Sequence, residues 1–291
     1  MASHDGSGPH AAKFYVPRLL STSGEPSSSH VLSECAIRQL APQVPRRYAL
    51  SDWRLLYSTH VHGISINTLY LRASGCGGCL LALRSSDGAT FGGFISECQP
   101  PSAPGPDGRH FYGNGESFLW RVEPLTDLPP LPRPSMGEPP TCLLETFGWT
   151  GANTYFALSH REHLALGSGG HFGLWIDADL RHGSSGASDT YGNPSLCAPP
   201  PELYHHSERN TGSSVSEVPA GGGDGGGGGG CRGGGGGAGG GGGAEAAALS
   251  RSRRESSSSG EFVCDVLEVW GVDGHAIKRR NAELLRRGVA P

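Results

Sequence analysis

The stretch 166–185 reads Leu-Gly-Ser-Gly-Gly-His-Phe-Gly-Leu-Trp-Ile-Asp-Ala-Asp-Leu-Arg-His-Gly-Ser-Ser. A glycine turn runs into a short apolar segment and then into a polar rim, an order that compositional bias does not produce. Glycines at 167, 169 and 170 admit positive φ or the close approach of another backbone, and the apolar segment at 172–177 has the length of a strand. A chain built from such units folds as short strands joined by tight turns.

Other segments read the same way. Residues 53–58, 79–84, 90–96, 117–122, 154–158, 163–166 and 262–270 are strand candidates. Asp87-Gly88 marks a hairpin turn between the second and third of these, because both residues tolerate positive φ. Helix signals are fewer. Ser29 or Ser33 can cap a helix carrying Val31, Leu32, Cys35, Ile37 and Leu40, which Pro42 and Pro45 then stop; residues 65–73 fit a helix or a strand. Many short strands punctuated by glycine and proline predict an α+β, mainly β architecture, a two-sheet antiparallel β-sandwich with a few peripheral helices. Trp149, Trp175 and Trp270, with Phe147, Tyr155, Phe156 and Phe172 beside them, are expected to fill its core.

The chain has 291 residues, 48 of them glycine, and 19 of those glycines lie between Gly221 and Gly243. A glycine run has nothing to bury and a high entropic cost of ordering, so a disordered insertion is expected over about 207–260. A loop roughly tenfold longer than a compact one costs only about 2 kcal/mol in closure entropy, which a folded domain tolerates. The expected organisation is a loose N-terminal arm at 1–29 with one apolar anchor at 14–20, one domain at 30–272 interrupted by that insertion, and a C-terminal helix at 273–291.

A formal charge of −4 supplies no global field for nucleic acid. No apolar run of about 18 residues suggests a membrane-spanning helix, and the first ten residues lack the pattern of a secretory signal. Eight cysteines in a chain of this length are too sparse for a disulfide scaffold, and no usable Asn-x-Ser/Thr sequon occurs; both fit a reducing compartment, with the cytoplasm as the expectation.

Four stretches carry a family resemblance: 53–70 with His62-Gly63 and Asn67-Thr68-Leu69-Tyr70, Phe111-Tyr112-Gly113-Asn114-Gly115-Glu116-Ser117-Phe118, Trp149-Thr150-Gly151-Ala152-Asn153-Thr154-Tyr155-Phe156, and 166–185 read with Leu267-Glu268-Val269-Trp270-Gly271. In this order the chain resembles a TLDc domain, the module of the oxidation-resistance proteins, over about 31–272. The positions that carry the likeness are Gly63, Gly113, Gly115, Glu116, Gly169, Gly170, His171, Phe172, Gly173, Trp175, Asp179, Trp270 and Gly271. The resemblance implies two packed antiparallel sheets, a helix at 65–73, no established catalytic site, and a role in oxidative-stress resistance. It also implies binding to the vacuolar proton-pumping ATPase (V-ATPase) and regulation of its assembly, with recruitment from the cytoplasm to vacuolar or other acidic-organelle membranes through that partner.

The residues themselves offer few catalytic constellations. Gly167-Ser168-Gly169-Gly170 resembles a phosphate-cradling loop, but no Lys-Ser/Thr follows and the next element reads as a strand, which favours a tight turn. Cys76-Gly77-Gly78-Cys79 raises zinc binding or dithiol exchange; no second ligand pair of suitable spacing stands out, although His60 and His62 would share a face of a strand, and no following helix lowers a thiol pKa. Glu116, Asp177 and Asp179 could form a carboxylate group for acid–base work or sit at strand ends as turn residues. His160-Arg161-Glu162-His163 reads as surface. The expectation is therefore no cofactor, no metal and no catalytic residue, with a thiol antioxidant or an enzyme using Cys76 and Cys79 or the Glu116 region as the alternative.

The segment 273–288 is two-faced. Ala276, Ile277, Leu284 and Leu285 can share an apolar side, while Lys278, Arg279, Arg280, Arg286 and Arg287 are cationic. A basic solvated helix packed on the sandwich is one reading. A helix that docks on a protein partner through Ile277, Leu284 and Leu285, steered by Arg279, Arg280, Arg286 and Arg287, is the other.

Overall fold

The structure, a computed structural model, describes residues 15–101, 110–124, 142–197 and 260–288. By internal contacts the chain divides into one unit formed by 1–198 with 258–291 and a second at 199–257. The second unit, and with it the insertion expected over 207–260 apart from Gly260, lies outside the described residues. So does the part of the expected N-terminal arm that precedes Tyr15.

The elements are β1 (Leu19–Leu20), α1 (Glu34–Leu40), a single 3-10 turn (Arg46–Tyr48), β2 (Trp53–Ser58), α2 (Thr59–His62), α3 (Ile66–Ala73), β3 (Cys79–Ser85), β4 (Thr90–Ile95), β5 (Phe111–Tyr112), β6 (Phe118–Pro124), β7 (Cys142–Phe147), β8 (Ala157–Ser159), β9 (His163–Leu166), β10 (Leu174–Asp177), β11 (His182–Ser184), β12 (Glu261–Gly271) and α4 (Gly274–Arg286). The fold is α+β and mainly β, with antiparallel pairing throughout except for the short parallel pair β1–β2. Hydrogen-bonded order runs β5-β8-β9-β10-β11-β12-β3-β4-β6-β7, with β2 also flanking β12.

The last strand joins the two halves of this order. The first three residues of β12 pair with β11, and from Cys264 onward it pairs with β3, the register shifting between Cys264 and Val266 where it passes from one set of partners to the other. Glu268–Gly271 pairs with β2 on the other side. Alternation along β12 and β3 then sends side chains into two separate cores. Leu267, Val269, Leu81 and Leu83 pack with Leu164, Leu166, Leu174 and Ile176 of β9 and β10 and with Ile66 and Leu69 of α3. Val266, Trp270, Leu80 and Ala82 face the other way, against Ala36, Ile37 and Leu40 of α1 and against Trp53 and Trp120.

Local signals decide the helices. Ser33 accepts the Ala36 N–H at 3.1 Å and caps α1, and Ser65 accepts the Thr68 N–H at 3.4 Å and caps α3. Residues 65–73 are thus a capped helix. Gly88 stands at φ +92° in the β3–β4 turn, as the hairpin reading requires.

Four expectations need correction. The arm expected over 1–29 is held at its apolar anchor, where Leu19 pairs with Trp53 and the Arg18 guanidinium bridges the Asp52 carboxylate at 2.6 Å, but it is not loose beyond that point: Ser27 N–H donates to Leu19 O at 2.9 Å and Ser29 bonds Glu268. His60 and His62 lie in the short helix α2 and not on a strand, and His62 Nδ1 accepts the Ser58 N–H at 3.0 Å. The strand expected at 154–158 begins only at Ala157, because Asn153 Oδ1 accepts the Tyr155 N–H at 3.0 Å and turns the chain first. Trp270 and Phe156 are buried as expected, but Trp149 is 45% exposed and Tyr155 41% exposed, so those two rings cap the sandwich instead of filling it.

Candidate functional site

Three of the family-like stretches, 111–118, 149–156 and the glycine turn that opens 166–185, interlock with one another. Gly115 leaves room for Trp149: a Cβ on Gly115 would lie 2.4 Å from Trp149 Cε3. The Trp149 indole donates to Asn153 O at 2.7 Å and its ring stands edge-on to Phe156. Asn153 Oδ1 accepts from the Thr190 hydroxyl at 2.7 Å, and that hydroxyl accepts the Ser168 N–H at 2.9 Å. Thr150 closes the circuit, its hydroxyl donating to Asp189 O at 2.6 Å.

The glycines of 167–173 serve this packing. Gly167, Gly169 and Gly170 stand at φ +72°, +89° and +99°, so the segment is a turn between β9 and β10. A Cβ on Gly169 would meet the Asp189 carboxylate at 2.7 Å and Asn153 Nδ2 at 2.9 Å, and one on Gly173 would meet Leu119 Cδ1 at 2.5 Å. Gly113, at φ +98°, lies beside Phe156 and Ser96. Gly63 ends α2 at φ +77°, its carbonyl accepting from the Tyr57 hydroxyl. His171 is exposed, and Phe172 and Trp175 are half-buried with their rings near His163.

The three carboxylates are not brought together. Glu116 forms a two-point pair with Arg47, and the Arg47 guanidinium holds its carboxyl below the ordinary 4.5. Asp177 sits at the opposite end of β10, paired in register with His163, and its Oδ1 accepts the Arg181 N–H at 2.9 Å as a turn cap. Asp179 is exposed in that turn. Cys76 and Cys79 are fully buried. Burial pushes the Cys76 thiol up to about 11, and the neighbouring Cys98 thiol together with burial pushes Cys79 up as well. Among the described residues no three His, Cys, Asp or Glu side chains form a metal-binding group, and no described helix is long and apolar enough to cross a membrane.

The basic helix α4 is divided by its packing. Asp273 caps it, accepting the Ala276 N–H at 2.9 Å. Gly271 lets it approach: a Cβ there would lie 2.7 Å from Ile277 Cδ1. Ala276 and Ile277 are therefore buried in this domain, and Ile277 is not free to enter a partner, a correction to the docking face drawn from sequence. Arg280 donates to Leu71 O at 2.8 Å and is likewise used at home. It lines, with Arg54, Arg72 and Ile277, a cleft of about 20 Å³, room for a single water. Leu284 is half-buried, Leu285 is 65% exposed, and Lys278, Arg279, Arg286 and Arg287 face solvent, Arg287 pairing with Glu283.

One residue of consequence escaped the sequence reading as a functional group. Glu268, 1% exposed on β12, accepts the His30 N–H at 2.9 Å and the Trp270 indole N–H at 3.0 Å, and the Ser29 hydroxyl also donates to it. The available signal was a carboxylate set within the apolar run 266–270, since a buried carboxylate there must be partnered.

The domain is thus two-cored and mainly β, with an interlocked loop rim and a half-packed basic helix. Residues 25–205 match the TLDc domain family model. The chain belongs to the TLDc domain family. The match ends before β12 and α4, which the structure nonetheless places at the centre and flank of the same unit. Similar proteins include oxidation resistance protein 1 of Gibberella zeae, 31% identical over 60% of this chain and 62% of that protein. Nuclear receptor coactivator 7 of Gallus gallus is 35% identical over 58% of this chain and 16% of its own length. Oxidation resistance protein 1 of Kluyveromyces lactis is 32% identical over 59% of this chain and 71% of that protein. The chain thus spans less than two thirds of the Gibberella and chicken proteins.

Proposed function

We propose that this chain is a non-enzymatic interaction module that contributes to oxidative-stress resistance by binding and regulating the V-ATPase, acting from the cytoplasm at acidic-organelle membranes through that partner. Membership of the TLDc family and the likeness to proteins named for oxidation resistance support the stress role; likeness to proteins named as coactivators supports protein binding. The observation that carries the reading is the division of α4: Ala276 and Ile277 anchor it while Leu285, Arg279 and Arg286 remain outside. An apolar tip within a cationic face suits a groove on an acidic protein surface.

The interlocked rim fits the same reading. Its glycines and hydrogen-bonded Thr190 and Asn153 fix the shape of a surface and present no nucleophile paired with a base. The alternative, a thiol antioxidant or an enzyme built on Cys76 and Cys79 or the Glu116 region, gains nothing from two buried thiols with raised pKa and a carboxylate held by arginine. The deciding experiment is direct binding of the purified chain to purified soluble V-ATPase subcomplexes by biolayer interferometry. Micromolar or tighter, salt-dependent binding is expected.

A further inference from the structure

Cys35 on α1 and Cys142 at the start of β7 stand far apart in sequence, yet their sulfurs are 2.7 Å from each other. A disulfide needs about 2.05 Å, so the two atoms must close by about 0.7 Å. Their helix and strand are already fastened together. Gln39, one turn along α1, donates through Nε2 to Cys142 O at 2.9 Å, and its Oε1 accepts the Leu144 N–H at 3.2 Å. That amide nitrogen also lies 3.2 Å from the Cys35 sulfur and 3.4 Å from the Cys142 sulfur. We propose that Cys35 and Cys142 form a peroxide-oxidisable dithiol whose disulfide staples α1 to the strand β7. The proposal stands independently of any V-ATPase partner.

Access and proximity together separate this pair from the other described thiols. Cys35 and Cys197 are both half-buried, but Cys142 lies against the Cys35 sulfur, whereas the Cys197 sulfur is placed beside Ser195 Oγ and Gly260 O, and Cys76, Cys79 and Cys98 are inside the core between the sheets. Within the pair, Cys35 is the sulfur that peroxide reaches. Its thiolate attacks one peroxide oxygen; the S–O bond forms, the O–O bond breaks, and the departing hydroxide takes up the thiol's proton as water. The Cys142 sulfur then attacks the Cys35 sulfenic acid; the S–S bond forms, the S–O bond breaks, and a second water leaves with the Cys142 proton. Two thiols are oxidised by two electrons and one hydrogen peroxide is reduced to two waters. Burial of Cys142, which pushes its thiol up to about 12, makes the second step depend on contact with the sulfenic acid, and the 2.7 Å separation supplies that contact. The amide of Gln39 is placed to donate to whichever sulfur carries negative charge.

The pair can be read directly. Trypsin cuts after Arg18 and Arg38 and after Arg121 and Arg161, leaving Cys35 and Cys142 as the sole cysteine of their respective peptides. The full chain is reduced, treated with stoichiometric hydrogen peroxide, alkylated and digested without reductant. The Cys35–Cys142 linked peptide is expected as the main oxidised product, with Cys76, Cys79 and Cys98 recovered as thiols. Because the bond closes a loop of about 100 residues, the oxidised protein should melt on the order of 5–10 °C higher, a gain that dithiothreitol reverses. Cys142→Ser should abolish both the link and the shift; if that variant fails to fold, Cys35→Ser at the half-buried helix surface makes the same test. Recovery of Cys35 as sulfinic acid without a link, or a Cys79–Cys98 link with Cys35 and Cys142 still reduced, would overturn the proposal.

Discussion

Gly115→Ala isolates how the rim is built. The substitution adds one methyl group, and Gly115 is not in the left-handed region, so its cost comes from the new contact and not from the backbone. That Cβ would lie 2.4 Å from Trp149 Cε3 and 3.0 Å from Cζ3, with Gly115 fixed beside the Arg47–Glu116 pair. Trp149 is 45% exposed and can swing outward, which forfeits its hydrogen bond to Asn153 O and its edge-on contact with Phe156. Losing a hydrogen bond at about 0.5–1.5 kcal/mol and an aromatic pair at about 0.5–1.5 kcal/mol gives a cost of about 1–3 kcal/mol. Urea denaturation of Gly115→Ala, Trp149→Ala and the double variant forms a cycle. In the Trp149→Ala background the methyl group has open space, so Gly115→Ala should there cost under about 0.5 kcal/mol. The same cost in both backgrounds would refute the packing argument.

Legibility followed the range of the interaction. Ser33 and Asp87-Gly88 act on their own neighbours, within three residues, and the first helix and the hairpin were readable from them, with Ser29 the other cap offered; Ser65 acts as locally, yet by residue pattern alone 65–73 fit a helix or a strand. Strands β1, β5 and β11 are two or three residues long and exist only because a distant strand pairs with them, so no periodicity announces them. Glu268 is joined to Ser29 across 239 positions, and Cys142 to Cys35 across 107; neither span has a local signature. Trp149 misled for a different reason. Large aromatics beside glycine fill cores in general, but here the glycine it covers lies on the outer rim.

Three further outcomes are expected. Glu268→Leu strands the buried Trp270 indole N–H, at about 1–3 kcal/mol, and removes the acceptor of the part-buried His30 N–H, at about 0.5–1.5 kcal/mol, by urea denaturation; a loss under about 1 kcal/mol would show that the N-terminal segment is held by other means. Because the folded Glu116 carboxyl is depressed below 4.5, its pair with Arg47 stabilises the fold above that pH and is lost as pH falls through the lower folded value. The stability gap between wild type and Glu116→Gln should therefore shrink on acidification below 4.5, and a gap that widens would reverse the sign. Replacing both Cys76 and Cys79 by alanine should leave peroxide protection intact in a complemented sensitive strain, since neither sulfur reaches solvent; a null phenotype from a variant expressed at wild-type level would restore the direct-antioxidant reading.

The basic face of α4 is where the functional account stands or falls. Arg280 and Ile277 hold the helix to its own domain and are left unchanged, while Arg279→Glu, Arg286→Glu and Leu285→Ser alter only groups that face solvent. The carboxylate introduced by Arg279→Glu lies one turn from Glu283 and should cost the helix no more than about 0.5 kcal/mol. The measurement is affinity for purified soluble V-ATPase subcomplexes by biolayer interferometry at two salt concentrations, with the thermal melt followed in parallel. Wild type is expected to bind with micromolar or tighter affinity that weakens with salt, and the triple variant at least about tenfold more weakly, having lost much of that salt dependence, with its melt unchanged. No binding by wild type, or equal binding by the variant at low salt, would contradict it.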